Sequence, residues 1–368
     1  MVDRIEFGKL ADRLLAGVIE RTPDEPWRYA LRMTSGTSGK PLVTVVKYGM
    51  PQFKKFAAWR RIVMCFGTRD ARLANVLHIR NQVTDYIQTA WCIDPTDIGP
   101  DIGALVADFA PDNVGGLSSF VGRLASVLGQ GEGESVRTLQ LVGERVSPQL
   151  EKIYREHFSN ARIIMAYIAS EIGLISTQGC VHLPVNHYHP GPGVTIEIVD
   201  QAKDGAGDLL VSKRLNDEEP LERYYLGDSG RWVKGACQCK AAQTFEHLGR
   251  KGYDYIKFFG ALVRHEEFAR VVEKFKPVLD DYRVEVSSVL HGGVQKGKIV
   301  LRGYRRLGPP TKARCLEIAG EFSREVYLTP TRTLSDLVEE HILVPLAVEY
   351  SVQPFTKKHK DIKLVDLR

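Results

Sequence analysis

Apolar residues recur every three or four positions in "FGKLADRLLAGVIE" near the start, which predicts a short amphipathic helix. A turn rich in Gly, Ser and Thr follows at Thr34–Pro41. "LVTVV" after it has strand composition, and "MPQFKKFAAWRRIVMCFG" predicts a helix with Pro51 near its start. A regular alternation then sets in. "RLANVLHI" reads as strand, "SSFVGRLASVLG" as helix, "VRTLQLVG" as strand, "SPQLEKIYREHF" as helix and "ARIIMAYIA" as strand. Ser147 suits an N-cap and Pro148 a first helical position. Such alternation implies layered α/β structure with largely parallel strands.

From about Pro184 the pattern changes. "PGPGVTIEIVD", "GDLLVSK" and "GRWVKG" are short, β-rich and punctuated by Gly and Pro, as in an antiparallel sheet or a small barrel. From about Tyr255, "EEFARVVEKF", "DYRVEVSSVLHG", "KGKIVLRGY", "KARCLEIAGEFSREV" and "TLSDLVEEHILV" read as helix, strand, strand, helix, helix. The expected fold is α/β: a large N-terminal domain, residues 1–253, with a β-rich subdomain, and a small α+β C-terminal domain, residues 254–368. No internal repeat or low-complexity segment interrupts it.

Composition narrows the function classes. Hydrophobic residues are 43% and charged residues 26% of the 368, so a sizeable core is expected and disorder is not. The net charge of +5 is mild for this length and suits an anionic small molecule. No Lys/Arg stripe with interleaved aromatics supports a nucleic-acid partner. The start "MVDRIEFGKL" lacks the apolar core of a signal peptide, and no run of about 18 apolar residues predicts a membrane span. The expected compartment is the reducing cytoplasm, where the six cysteines suggest metal or catalysis before disulfides.

Several short stretches carry chemistry. "TSGTSGKP" crowds glycines and hydroxyls together. It reads equally as a cradle of N–H and O–H donors for phosphate or as a structural turn. The P-loop spacing fails, because Gly36 lies three residues before Gly39 and Pro41 follows the lysine. "AYIASEIG" puts Tyr167 and Glu171 four apart beyond a strand, where a ring can stack on a base and a carboxylate can hold Mg2+. Asp228 lies in a Gly-flanked turn suited to a ribose diol, and Arg250 follows Gly249 before the last domain. "TKKHKDIK" near the C-terminus is a basic cluster that a solvated tail would also explain.

The order of these stretches resembles the adenylate-forming superfamily of acyl-CoA ligases, peptide-synthetase adenylation domains and luciferases. The resemblance rests on Thr34–Pro41, Tyr167–Glu171, Gly227–Asp228, Gly249–Arg250 and the late lysines, and spans nearly the whole chain. Within the superfamily the chain is most similar to the phenylacetate–CoA ligase branch. Leu42 stands after the proline where many relatives carry lysine, "LVGERVSPQLEKIYREHF" matches the acyl-pocket segment, and "HKDIKLVDLR" resembles that branch's tail.

The resemblance implies ATP-dependent activation of a carboxylic acid to acyl-AMP with release of pyrophosphate, and Mg2+ as the metal. Thr34, Ser35, Gly36, Thr37, Ser38 and Gly39 would hold the phosphates, with Thr37 or Thr34 and Glu171 on Mg2+. Tyr167 would pack on adenine, Asp228 and Arg250 would hold the ribose, and Lys360 would bridge the carboxylate and α-phosphate. His359 replaces the usual glycine there, so Lys357 or Lys358 can take that role. Val142, Gly143, Glu144, Ile168, Ala169 and His78 would line the acyl pocket.

Similarity in length and motif order to acid-activating proteins of antibiotic biosynthesis implies a planar aromatic acid, such as a phenazine carboxylate. The adenylate would pass to CoA, as in an aryl-CoA ligase, or to a downstream reductase or carrier. A non-catalytic nucleotide-binding relative is the further alternative. The expected partners are a small-molecule acid and a second copy in a homodimer, with neither nucleic acid nor membrane. Cys180, His182, Cys237 and Cys239 resemble the structural zinc ligands of some relatives, or they are reduced side chains that simply pack. His187 and His189 are nearby spare ligands, and read first as solvated loop residues. Relatives carry a longer segment before the phosphate loop, so a trimmed N-terminal subdomain is expected. "GRKGYDYIK" is one residue longer than the usual hinge, which places the pivot between Lys251 and Asp254.

Overall fold

The computed structural model describes residues 9–10, 13, 29–33, 43–47, 61–65, 76–81, 86–169, 172–177, 180–215, 219–250, 255–353, 355 and 364–367. Strands β1 (Tyr29–Met33) and β2 (Val43–Lys47) form an antiparallel ribbon on either side of the Gly/Ser/Thr-rich stretch. Strands β3 (Arg61–Cys65), β4 (Val76–Asn81) and β5 (Tyr86–Ile93) follow. Next come helix α1 (Pro100–Phe109), β6 (Asn113–Leu117), α2 (Ser118–Val127), β7 (Thr138–Val142), α3 (Pro148–His157) and β8 (Arg162–Ala166). Six of these strands make one sheet in the order β4-β5-β3-β6-β7-β8, parallel throughout except for antiparallel β4 at its edge.

The predicted α/β alternation is present. The side chain of Ser147 accepts from Leu150 N–H at the start of α3, with Pro148 in the first turn. One expectation is corrected: Arg61–Cys65 was assigned to a helix, and it is a central strand that pairs with β5 and β6. An apolar run this short cannot be told from a buried helix by periodicity. Two strand partners and the complete burial of Val63 and Cys65 decide the matter. Strand β6 and helix α1 had no counterpart in the pattern. At Gly116 a Cβ would lie 2.1 Å from the Cys65 carbonyl oxygen, so only glycine lets β3 and β6 approach this closely.

The β-rich region begins with the small pair β9 (Ile168–Ala169) and β10 (Gly173–Leu174). It continues through β11 (Ser176–Thr177), β12 (His187–Pro190), β13 (Val194–Val199), β14 (Gly207–Leu215), β15 (Glu219–Trp232) and β16 (Phe245–Arg250). These last six form an antiparallel sheet in the order β11-β12-β16-β15-β14-β13.

The C-terminal region holds the hairpin β17 (Tyr255–Phe258) and β18 (Ala261–Arg264), then α4 (His265–Val272), β19 (Asp281–His291) and β20 (Val294–Tyr304). Helices α5 (Lys312–Glu325) and α6 (Leu334–Glu339) and strands β21 (Ala347–Ser351) and β22 (Leu364–Asp366) complete a four-stranded sheet, β21-β20-β19-β22.

Helix α2 is buried along most of its length and joins the two halves of the molecule. Its Arg123 donates to the carbonyls of Ile98 and His341, and burial lowers the guanidinium to about 10. Gln295 N–H donates to Ser126 Oγ at 3.0 Å, which ties β20 to the same helix. No helix among the described residues is long and apolar enough to cross a membrane.

Candidate functional site

The carboxyl ends of β6, β7 and β8 face the same way, because the three strands are parallel neighbours. Ligands of open α/β sheets bind in the crevice outside such ends. Here the crevice is bounded by Ser118 and Ser119, by Gly143–Arg145 and by Tyr167–Ala169, each directly after its strand. Gly143 takes φ +77, a conformation that glycine reaches without strain. Ser119 N–H donates to Glu144 Oε2 at 3.0 Å, and Ser118 Oγ donates to the Glu144 carbonyl at 3.1 Å. A carboxylate is favoured at that helix N-terminus. Gly260 N–H donates to Glu144 Oε1 at 3.4 Å. Glu144 therefore fastens the β7 loop to α2 and to the β17–β18 turn. Val142 and Ala169 are half-buried, and Gly143 and Ile168 are exposed.

Tyr167 leaves β8 with its ring buried and its hydroxyl donating to Asp228 Oδ2 at 2.6 Å. The pair spans the two six-stranded sheets and joins two residues 61 positions apart. Tyr188 on β12 and Phe245 and His247 on β16 complete an aromatic wall around Tyr167, with ring centroids at 5.7, 6.2 and 4.8 Å from it. Burial, with a smaller push from Asp228, raises the Tyr188 hydroxyl well above its ordinary value, so it is a neutral donor at physiological pH. Asn186 pins this wall to the parallel sheet. Its amide exchanges two hydrogen bonds with the backbone of Val146, at 2.9 and 2.8 Å, and its carbonyl accepts from His247 N–H.

Asp228 stands opposite Arg250 in the β15–β16 register. A bulge between Ser229 and Gly230 offsets the next pairs, so that Gly230 faces His247. Gly249 supplies the required left-handed turn, φ +96. His247 Nε2 lies 3.7 Å from Asp228 Oδ2 as a result. Tyr188, Phe245 and His247 were not anticipated. The one available signal was the position of His247, two residues before Gly249.

Other expected residues fall differently. Thr34, Ser35, Gly36, Thr37, Ser38 and Gly39, Glu171, and Lys357, Lys358 and Lys360 lie outside the described residues. His78 is on edge strand β4 and Arg250 ends β16, and the side chains of both lie outside the described residues. Lys213 Nζ donates to the carbonyls of Ile172 at 2.9 Å and Leu174 at 3.0 Å, immediately after Glu171.

The cysteine cluster forms with a different histidine from the one expected. Ligand atoms of Cys180, His189, Cys237 and Cys239 all lie within 4.8 Å of one another. His182 sits on an exposed turn and is not a member. The reading of His189 as a solvated loop residue is corrected too: it is a buried residue of β12. Its Nδ1 donates to the Gln243 carbonyl at 2.7 Å, so in the neutral ring Nε2 presents its lone pair to Cys239 Sγ, 3.2 Å away. Cys180 and Cys237 sulfurs are 3.5 Å apart. The Cys239 N–H lowers the Cys237 thiol below its ordinary value, while burial raises that of Cys180.

No protein-family model matches this sequence, and no curated protein does. Solved structures do resemble it. A 2-hydroxyisobutyryl-CoA ligase in complex with 2-HIB-AMP and CoA is 15% identical, covers 100% of this chain and 79% of its own, and superposes with a TM-score of 0.54. A malonyl-CoA ligase with methylmalonyl-CoA and AMP is 16% identical over 89% of this chain and 71% of its own, TM-score 0.49. An anthranilate–CoA ligase with anthranoyl-AMP is 15% identical over 89% of this chain and 63% of its own, TM-score 0.42. At such identities the first of these likenesses is one of fold: this chain has the fold of that 2-hydroxyisobutyryl-CoA ligase.

Proposed function

We propose that this protein is an adenylate-forming ligase that joins a carboxylic acid to ATP. The observation that carries the reading is the buried Tyr167–Asp228 pair at the carboxyl end of β8, where two motifs far apart in sequence meet. In the reaction, a carboxylate oxygen attacks the α-phosphorus and pyrophosphate leaves. The protein's part is positioning and charge stabilisation.

Tyr167 would flank the adenine, Asp228 and Arg250 the ribose, and Thr34–Gly39 the phosphates, with Glu171 and Thr37 on Mg2+. Lys360, or its neighbours Lys357 and Lys358, would bridge the reacting groups. Val142, Gly143, Ile168 and Ala169 would border the acid, with a pivot at residues 251–254 letting the C-terminal region move between steps. Leu42, the segment "LVGERVSPQLEKIYREHF" and the tail "HKDIKLVDLR" support the phenylacetate-type branch, and length and motif order support a planar aromatic acid, such as a phenazine carboxylate. CoA, a carrier or a reductase would take the acyl group.

The test is pyrophosphate release over aromatic and aliphatic carboxylates, with and without CoA. Release with an aromatic acid supports the reading. ATP binding without release for any acid would favour a non-catalytic nucleotide-binding role. Lys360→Ala is expected to abolish acid-dependent pyrophosphate exchange, and full activity would move that role to Lys357 or Lys358.

A second reading concerns the cluster Cys180, His189, Cys237 and Cys239, which suits a structural zinc. Two thiolates on a tetrahedral zinc stand about 3.8 Å apart for bonds of about 2.3 Å, close to the Cys180–Cys237 spacing of 3.5 Å. His189 has the outer-shell carbonyl partner that metal-bound imidazoles use. The ion would clamp β12 to the loop before β16 and take no part in the reaction. About one zinc per chain by elemental analysis supports this. Far less than one, with fully titratable thiols, refutes it.

A further inference from the structure

His247 belongs to none of the motifs, yet it is part of the aromatic wall around Tyr167. Its ring lies 4.8 Å from that of Tyr167 and meets Tyr188 nearly edge-on, at 82°. Its Nε2 is buried and has no hydrogen-bond partner among the described residues. Buried polar atoms without partners are rare enough to call for a reason. Asp228 Oδ2 lies 3.7 Å from it and already accepts the Tyr167 hydroxyl at 2.6 Å. The β15–β16 bulge between Ser229 and Gly230 sets the register in which His247 stands opposite Gly230.

We propose that His247 is a positioning residue for the nucleotide: it closes on the Asp228 carboxylate when a ligand's vicinal hydroxyls engage that group, and so fixes Asp228 and Tyr167 together. The proposal rests on the reading of Asp228 as the acceptor of a ribose diol. One more hydrogen bond, from the imidazole, to the carboxylate that receives the Tyr167 hydroxyl would narrow its rotamers further while ligand hydroxyls engage it. The imidazole needs to move by well under 1 Å to reach the hydrogen-bond range of about 2.7–3.2 Å.

Two variants test this in the full chain with ATP and a turned-over acid. His247→Phe keeps the ring packing and removes the nitrogen. His247→Gln keeps a donor of similar reach. The expected result for His247→Phe is a KM for ATP raised about tenfold, the scale of one lost hydrogen bond to a charged group. Its kcat and the KM of the acid would stay within about twofold. His247→Gln is expected to recover most of the loss. Calorimetric titration with AMP should show the same order of affinities.

A merely structural imidazole would instead leave His247→Phe equal to wild type, or would lower kcat and thermal stability while ATP KM stayed fixed. Either result overturns the proposal alone. Wild-type protein that binds no adenine nucleotide would overturn the adenylation reading, and this proposal with it.

Discussion

Replacing Tyr167 with Phe removes a single oxygen from the buried contact that joins the two six-stranded sheets. Its hydroxyl donates to a carboxylate at 2.6 Å, and both residues are at least nine-tenths buried. A hydrogen bond to a charged group contributes about 1.5–3 kcal/mol net. His247 Nε2, 3.7 Å from the same oxygen, can turn in and recover part of the loss. The expected destabilisation is therefore about 2 kcal/mol, near the middle of the single-bond range.

Urea titration followed by near-ultraviolet circular dichroism reads the change directly, since four of the aromatic rings involved are packed together. A double-mutant cycle with Asp228→Asn isolates the pair, with an expected coupling of about 1–2 kcal/mol. Adding His247→Phe to Tyr167→Phe should cost more than the sum of the two, because the compensating nitrogen is then missing. If Tyr167→Phe leaves the midpoint and slope unchanged and the coupling is near zero, the hydroxyl–carboxylate bond does not join the sheets and the reasoning fails.

Lys213→Met should lower kcat at least tenfold with the far-ultraviolet spectrum intact, because Lys213 anchors the carbonyls of Ile172 and Leu174 beside Glu171; unchanged kcat across a Mg2+ titration refutes that. His189→Ala should abolish bound zinc while His182→Ala leaves it intact, and the reverse pattern by elemental analysis would restore the histidine first expected. Tyr282 is raised to about 12 by burial, with Asp281 and Glu273 adding to it. Its folded value lies above its unfolded one, so its contribution to stability is full below about pH 10 and is lost as pH rises towards 12. Unfolding midpoints across that window should fall less steeply in Tyr282→Phe, and equal slopes would sink this assignment. Glu325 is held below the usual carboxylate range first by its hydrogen bond from Lys274, so the link between α4 and α5 should weaken as acid protonates it. Glu325→Gln should flatten the acid limb of the unfolding curve, and an unchanged limb would count against that link.

Much of the architecture follows from the sequence alone. Apolar alternation, the Ser147–Pro148 start of α3 and the Gly/Pro-punctuated strands act over a few residues, so they identify most elements and the α/β class. The order of the short motifs likewise brought Tyr167 and Asp228 into one hypothesis before any contact was known. The rest depends on partners distant in the chain. Arg61–Cys65 became a strand because β5 and β6 pair with it on both sides. His189 replaced His182 because β12 turns one imidazole inward against the Gln243 carbonyl. His247 lies 3.7 Å from Asp228 in a register that one bulge sets, with Gly230 facing it. Local spacing determines which way a side chain alternates. Register, bulges and burial decide which side chains meet, because their energies come from residues tens of positions away.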